Sequence, residues 1–114
     1  MNKYTELSDF EINKKVAEKL GLAYEVTRYG VVTRMSNKEQ WREFNPCNNP
    51  ADAMPIIIEN KICTAFDVFA EEHDGGNWVA SPAYGFANER TRSNNLYRAA
   101  MELFLSMKDA ENEG

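Results

Sequence analysis

The stretch CNNPADAMPIIIENK, residues 47–61, combines a clear helix start with a dense group of aliphatic side chains. Asn49 can cap a helix, and Pro50 suits the first helical position, because the N–H group that proline lacks would have no helical partner there. Met54 and the isoleucine triplet cover most of the circumference of little more than one turn. We therefore expect a helix over residues 50–60 that lies against a sheet, with other elements around it.

Pro55 lies inside this predicted helix and leaves two starts open. If Asp52 is the N-terminal cap, Pro55 falls in the first turn, where a missing N–H group costs no hydrogen bond. If the helix starts at Pro50, it bends near Pro55 instead. Both alternatives place the isoleucines in the core.

A second helix is predicted upstream, over residues 9–20. Ser8 and Glu11 have the spacing of a capping box, in which each side chain satisfies a backbone N–H group at the helix start. Apolar residues at four-residue spacing then form one stripe that faces the core. Gly21 ends the helix, because glycine adopts the left-handed terminal conformation freely.

Four strands are predicted from alternating patterns and from runs of β-branched and aromatic residues. Two of them, over residues 22–27 and 31–35, flank a short turn. The longest is expected over residues 62–71. The sequence DGGN at residues 74–77 favours a tight hairpin turn, because glycine tolerates the positive φ angles required there, and a strand over residues 77–81 returns.

The end of the chain is predicted to contain a loop, a helix and a tail. Proline has no N–H group to give a strand ladder, so residues 82–86 are expected to leave the sheet as an irregular segment. An amphipathic pattern predicts a third helix over residues 94–108. The polar residues from about 109 onward are expected to fray.

These elements predict a single α+β domain over residues 1–114, in the order α-β-β-α-β-β-α. Strands joined by tight turns pair antiparallel, so we expect a small antiparallel sheet of three to four strands packed with three helices. An α/β/α sandwich is an alternative arrangement of the same elements. A chain of 114 residues can bury a core without disulfides or metals.

The formal charge of −5 belongs mainly to the second half of the chain, since residues 58–114 contain five basic and ten acidic side chains. Sequence-independent binding to nucleic acid or to an anionic membrane is favoured by a basic patch, so both are poor candidates for a partner. No apolar run approaches the roughly 20 residues of a membrane helix, and the first residues lack the apolar run of a signal peptide. A cytoplasmic protein with reduced cysteines is therefore expected.

No combination of residues predicts catalysis, a cofactor or a metal. His73 stands in an acidic segment, but Phe69 occupies a position where a calcium loop requires an oxygen ligand, so a solvated hairpin tip is expected. Three arginines near the last helix have the chemistry to contact phosphate, but a solvated loop and helix face is the expected role in an acidic half. These arginines are Arg90, Arg92 and Arg98.

The segment 36–48 has no regular periodicity and is predicted to be a loop. It contains Trp41 and Phe44, close to Arg42. Large aromatic side chains commonly anchor a loop on the core, whereas aromatic and arginine side chains also dominate the binding energy of interfaces. Both interpretations stay open. The hypothesis for a partner-binding site is Trp41, Arg42 and Phe44, and the competing account makes the two aromatic residues buried anchors.

Three stretches of the chain resemble the NinX family of phage and prophage proteins: LSDFEINKKVAE at residues 7–18, CNNPADAMPII at 47–57 and LYRAAM at 96–101. The resemblance spans nearly the whole chain. It implies an accessory protein of lambdoid phages, encoded near recombination genes, with an unknown molecular role and no catalytic residues. It also implies similarity to a phage domain described as an α/β/α sandwich, with an early helix, an Asp-Ala-containing helix, a hairpin and a final alanine-rich helix.

We therefore expect a phage or prophage accessory protein that binds a host or phage protein and is not an enzyme. The lack of a recognisable acid, base, nucleophile or metal constellation motivates this expectation. An accessory enzyme or factor of phage nucleic-acid metabolism or recombination is the rival, suggested only by gene neighbourhood, which is association and not mechanism. A third alternative is an acidic antagonist of a host nucleic-acid-binding protein.

Overall fold

The computed structural model describes residues 3–83 and 89–113, and in this part of the chain it contains three α-helices and six short β-strands. The helices are α1 (Asp9–Leu20), α2 (Pro50–Glu59) and α3 (Leu96–Glu113). The strands are β1 (Ala23–Thr27), β2 (Gly30–Arg34), β3 (Arg42–Glu43), β4 (Cys63–Phe66), β5 (Trp78–Ser81) and β6 (Thr91–Ser93). The α+β class is confirmed, with β3 and β6 as additional strands. None of the described helices is long and apolar enough to cross a membrane.

α1 begins and ends where the sequence predicts. The hydroxyl of Ser8 accepts a hydrogen bond from the N–H of Glu11 at 3.1 Å, and Gly21 ends the helix with a φ of 73°. Ile12 and Val16 are fully buried, so the predicted apolar stripe faces the core.

α2 begins at Pro50, which decides between the two alternatives for its start. The side chain of Asn49 accepts a hydrogen bond from the N–H of Ala51 at 3.0 Å, and Pro55 lies inside the helix. Contrary to expectation, α2 is not buried on all sides, since Ile58 is exposed while the other two isoleucines are buried. Among the described elements, the main contact of α2 is with α3, where a sheet was expected.

The helix at the centre of the fold is α3. Every residue from 99 to 105 is buried, including Glu102. α3 contacts α1, α2 and the sheet that contains β5, as a helix without a solvated face must. It starts two residues later than predicted and continues to Glu113. The fraying expected from about residue 109 stays a prediction.

The strands form two three-stranded antiparallel sheets, where one sheet of three to four strands was expected. The first has the order β1-β2-β3, and Thr33 of β2 lies between Tyr24 and Arg42. The second has the order β4-β5-β6, and Trp78 of β5 lies between Phe66 and Ser93. α1 packs on the first sheet and α3 on the second. Because the described strands form two separate sheets, the arrangement is not an α/β/α sandwich around one sheet.

Residues 62–71 do not form one long strand, because β4 is only four residues long. The chain over residues 67–77 is a connection, so the tight turn predicted at residues 74–77 is wrong, although β4 and β5 pair antiparallel as expected. Asp67 explains the difference. Its Oδ1 accepts a hydrogen bond from the N–H of Phe69 at 3.0 Å, and this local turn takes the backbone away from the ladder.

The two additional strands are too short to give a periodic pattern. β3 lies inside the segment 36–48, which was predicted to be a loop, and its residues pair with Val32 and Thr33 of β2. β6 pairs with β5 just before α3. Of the irregular segment predicted at 82–86, residues 84–86 lie outside the described residues.

Candidate functional site

The structure separates the three residues that were predicted to bind a partner. Phe44 is 6% exposed and belongs to the core, and its N–H donates a hydrogen bond to the carbonyl of Val31 at 2.9 Å. The pairing of this segment with β2 thus makes Phe44 an anchor, which corrects the hypothesis at this position. Trp41 is half-buried, and the guanidinium of Arg34 lies 4.4 Å from the centre of its ring. Arg42 is exposed. The partner role of Trp41 and Arg42 stays a prediction.

Arg98 lies at the centre of a buried polar network. Its Nη1 donates a hydrogen bond to Asp9 at 2.7 Å, and its Nε donates to Glu102 at 2.7 Å. Its Nη2 donates to the carbonyls of Tyr4 at 3.0 Å and Leu7 at 2.7 Å. The solvated helix face that was predicted for Arg98 is therefore wrong, because this side chain ties the N-terminal segment to α3.

Carboxamide side chains extend the network to the segment before α2. The Nδ2 of Asn48 donates to Asp9 at 3.1 Å, and the Nδ2 of Asn95 donates to the carbonyl of Cys47 at 2.8 Å. The Oδ1 of Asn13 accepts a hydrogen bond from the N–H of Cys47 at 3.1 Å. Since these polar groups satisfy one another, the network holds three chain segments together, and a surface cavity lined by Asp9, Asn95 and Arg98, among others, opens beside it.

The charges of the network shift the pKa values of its carboxyl groups in opposite directions. Burial raises the pKa of Glu102 above its usual range, although the hydrogen bond from Arg98 opposes this shift. Burial also acts to raise the pKa of Asp9, but the hydrogen bonds from Arg98 and Asn48 outweigh it, so this pKa is lowered. Asp9 is therefore held in its ionised form beside the guanidinium.

The end of β4 carries three exposed apolar side chains within four residues. Phe66 is 53% exposed, Val68 69% and Phe69 88%. The ring of Phe66 packs edge-on against Trp78, with ring centroids 5.1 Å apart. Acidic residues follow at once, so we call residues 66–74 the apolar-acidic loop. Contiguous exposed apolar side chains with a polar rim are typical of interaction sites.

Hydrogen bonds hold the apolar-acidic loop in place from both sides. The N–H of Asp67 donates to the carbonyl of Asn77 at 2.7 Å, and the side chain of Asn77 donates back to the carbonyl of Asp67 at 3.1 Å. Arg92 of β6 donates to the carboxylate of Asp67 at 3.0 Å and to the carbonyl of Gly76 at 3.3 Å. The hydrogen bond from Arg92 lowers the pKa of Asp67. These bonds hold the backbone and the carboxylate of Asp67 in place at the start of the loop.

Gly76 allows the connection to lie directly on β6. Its φ is 139°, and a Cβ atom at this position would lie 2.2 Å from the carbonyl carbon of Ser93. Only glycine permits both this backbone conformation and this approach. The close backbone contact further restricts the position of the loop.

The far side of the apolar-acidic loop is acidic. Glu72–Asp74 form a short 3₁₀ turn, and the carboxylate of Asp74 accepts a hydrogen bond from the N–H of Glu71 at 2.8 Å. His73 is exposed, with its ring nitrogens 3.6 Å from the carboxylate of Glu71 and 3.4 Å from that of Asp74. The described residues contain no group of three His, Cys, Asp or Glu side chains arranged to hold a metal ion.

A comparison with known protein families shows where the chain belongs. The family described as "Bacteriophage P22, NinX" matches residues 3–108. The chain belongs to the phage P22 NinX family. The resemblance noted in three short stretches is therefore confirmed over almost the whole chain. No curated protein shows significant similarity to it.

The three stretches that resemble the NinX family meet in the polar network. Asp9 comes from the first stretch, Cys47 and Asn48 from the second, and Arg98 from the third. The apolar-acidic loop lies outside these stretches but inside the matched range. Family membership by itself assigns no molecular function, so the chemistry of the surface has to carry that argument.

Both cysteines of this NinX-family chain are free thiols. Cys47 is fully buried, and burial raises the pKa of its thiol to about 12. A thiol with so high a pKa is protonated near neutral pH and is a poor nucleophile. Cys63 is exposed in β4.

Sequence reasoning missed the apolar-acidic loop because its residues continue an apolar run. Phe66, Val68 and Phe69 fit the composition of a buried strand, and the burial of a strand depends on what packs against it. A signal was nevertheless present. Asp67 interrupts the run, and Glu71 lies four residues later, so both carboxylates would lie on the same face of a strand, which is unfavourable if that face packs in a core.

Proposed function

We propose that the chain is a non-catalytic phage accessory protein that binds a host or phage protein in the cytoplasm of the host cell. The apolar-acidic loop is the contact surface. The observation that carries the proposal is the exposure of Val68 and Phe69, at 69% and 88%, on a segment fixed by hydrogen bonds.

The rigidity of the loop supports binding. Ordering a flexible segment opposes association, and a surface that is already ordered avoids this cost. The bonds from Asn77 and Arg92 to Asp67 hold the backbone immediately before the two apolar residues, and the N–H of Phe69 donates to the carboxylate of Asp67 at 3.0 Å. Phe69 can therefore enter a pocket of the partner with little loss of conformational entropy. Large apolar side chains that fill such pockets dominate the affinity of many interfaces.

The charge of the surface favours a protein partner with basic residues. Glu71 and Glu72 are exposed beside the apolar side chains, and the whole chain carries a formal charge of −5. These charges repel the phosphates of a nucleic acid and the anionic surface of a membrane. A partner with basic residues around an apolar pocket would gain from both parts of the surface.

Affinity purification from phage-infected cells, with wild-type and variant chains as bait, tests the proposal. Phe69→Ser should lower the recovery of a specific protein strongly, because truncation of a central apolar anchor costs about 2 kcal/mol or more, which is roughly thirtyfold in Kd. Tyr29→Ser is the matched control, since Tyr29 is an aromatic residue that is 86% exposed in the turn between β1 and β2.

Recovery of the same partners by both variants would contradict the proposed surface. The rival function, an enzyme of nucleic-acid metabolism, has its own readout. Metal-dependent turnover of DNA or nucleotides by the purified chain, abolished by Asp67→Asn or Glu71→Gln, would overturn the non-catalytic proposal.

A further inference from the structure

β4 is an edge strand with no charged residue among its four positions, although Asp67 follows it directly. An edge strand leaves backbone N–H and C=O groups open to another strand, and proteins guard such edges with charged side chains or proline. The other edge strands of the two described sheets each carry a charged residue: Glu25 in β1, Arg42 and Glu43 in β3, and Arg92 in β6. β4 has the sequence CTAF, with neither a charge nor a proline.

The register of the ladder shows which backbone groups of β4 face outward. The N–H of Asp67 donates to the carbonyl of Asn77 at 2.7 Å, so these two residues form a hydrogen-bonded pair. Such pairs alternate along an antiparallel ladder, so Ala65 and Cys63 also exchange hydrogen bonds with β5. The N–H and C=O groups of Thr64 and Phe66 therefore point away from β5. Among the described residues, no backbone group outside the sheet hydrogen-bonds to them.

We propose that the partner adds an extended segment to β4 as a further strand of this sheet. This inference rests on the function proposed above and states how the partner is held. The backbone groups of Thr64 and Phe66 position the added strand, and its side chains reach the apolar-acidic loop. In binding of this kind, main-chain hydrogen bonds provide affinity and alternate side chains provide specificity.

The loop determines the chemistry of the added segment. Apolar side chains of the added segment would pack against Val68 and Phe69, and basic side chains of this segment would pair with Glu71 and Glu72. Both glutamates are exposed, and among the described residues neither forms an ion pair with a lysine or arginine, although the ring of His73 lies 3.6 Å from the carboxylate of Glu71. A second copy of this chain would bring another net charge of −5, so a segment of a different, basic protein is the better fit.

Thr64→Pro tests strand addition directly. The N–H of Thr64 takes no part in the ladder with β5, and an edge strand tolerates proline where the missing N–H faces solvent. Thr64→Val is the matched control, because valine keeps the N–H. The probe is a peptide selected from a display library of random short peptides against the full wild-type chain. We expect the selected peptide to alternate apolar and basic residues.

Thr64→Pro should weaken binding of this peptide at least about tenfold, and Thr64→Val should change it less than about twofold. Amide hydrogen exchange of the wild-type chain provides a second readout. The N–H groups of Thr64 and Phe66 should exchange slowly only when the peptide is bound. This measurement needs no variant, so it holds whatever Thr64→Pro does to folding.

Equal binding by Thr64→Pro and Thr64→Val, or unchanged exchange at Phe66, would overturn strand addition. Selection of acidic peptides would overturn the basic partner. Loss of binding in Phe69→Ser but not in Thr64→Pro would keep the proposed surface and reject the added strand, and the reverse pattern would reject the apolar-acidic loop alone. A dimer that is abolished by Thr64→Pro, without peptide binding, would replace the basic partner by a second copy of the chain.

Discussion

Replacing Arg98 with methionine tests how far the buried polar network holds the fold together. Methionine replaces the aliphatic part of the side chain, but the substitution removes the guanidinium group with its positive charge and its hydrogen bonds to Asp9, Glu102 and two backbone carbonyls. The carboxylate of Glu102 stays buried and loses the arginine beside it. Removing one partner of a buried ion pair typically destabilises a protein by about 3–5 kcal/mol.

This loss should be visible in both chemical and thermal unfolding. A domain of this size loses about 4 °C in Tm for each kcal/mol, so Arg98→Met should lower Tm by about 12–20 °C. Urea unfolding at neutral pH, followed by tryptophan fluorescence, gives the change in unfolding free energy directly. A second substitution, Glu102→Gln, should recover part of the stability, because it removes the charge that Arg98→Met leaves in the core.

Arg92→Met is the matched control for the loss of an arginine. Arg92 also pairs with an aspartate, but its side chain is one-third exposed, and exposed ion pairs contribute little to stability. Arg98→Met should therefore be several times more destabilising than Arg92→Met. If both variants unfold at the same urea concentration, the network does not carry the role assigned to it. If Glu102→Gln recovers nothing, the loss comes from packing and not from the buried charge.

Three further predictions concern backbone, pH and the loop before β3. Gly76→Ala should destabilise the fold far more than Gly30→Ala, since both glycines have φ near 140° but only at Gly76 would the new Cβ meet backbone, so overlapping urea curves would contradict the close approach. Burial acts to raise the pKa of Asp109, but hydrogen bonds from Tyr4 and a lysine outweigh it and lower this pKa. The contribution of Asp109 to the free energy of unfolding is therefore present above the unfolded-state pKa of about 4 and is lost as pH falls through the lower folded-state value. Asp109→Asn should therefore reduce the loss of unfolding free energy on acidification. Trp41→Ala should lower Tm with unchanged partner affinity if Trp41 is an anchor, whereas lost affinity at unchanged Tm would establish it as a contact.

Interactions within a few residues explain most of what the sequence predicted correctly. Ser8 and Gly21 set the ends of α1, and Asn49 starts α2, through hydrogen bonds to backbone groups close by in the chain. Interactions within a few residues could not predict the exposure of Ile58, because this exposure depends on which face of α2 packs against α3. A dense aliphatic run shows that a segment is buried somewhere, but not on how many sides.

The central place of α3 depends on a pair of charges. A periodic pattern assigns Glu102 to a solvated face, which would leave α3 with one stripe of core contacts. Arg98 lies one turn earlier and neutralises this carboxylate, so the helix can be buried on all sides. The spacing of four residues between them was visible in the sequence, but the same spacing is common on solvated helices. The deciding fact, that Asp9 and two carbonyls converge on the same guanidinium, comes from the fold.

The apolar-acidic loop could not be predicted from the sequence for a related reason. The local turn at Asp67 is reinforced by hydrogen bonds from Asn77 and from Arg92, which lies far along the sequence. Without these contacts, Val68 and Phe69 belong to a continuous strand in any pattern-based assignment. The hypothesis based on Trp41, Arg42 and Phe44 used residue types that are common at interfaces, but Phe44 is buried in the core.

Hydrogen bonds hold the apolar-acidic loop in place, but its exposed side chains are not part of the core. A substitution of such a side chain can therefore test binding with little effect on the free energy of unfolding. The hydrogen bonds of the loop run through Asp67, Asn77 and Arg92, and none of them uses the side chain of Phe69. Because a side chain that is 88% exposed removes little apolar surface from water, Phe69→Ser should leave the free energy of unfolding nearly unchanged. A loop that only connected β4 to β5 would gain nothing from keeping Val68 in water as well. A partner that covers both side chains gives their exposure a physical reason, because burial then provides the hydrophobic stabilisation that the folded chain alone does not obtain from them.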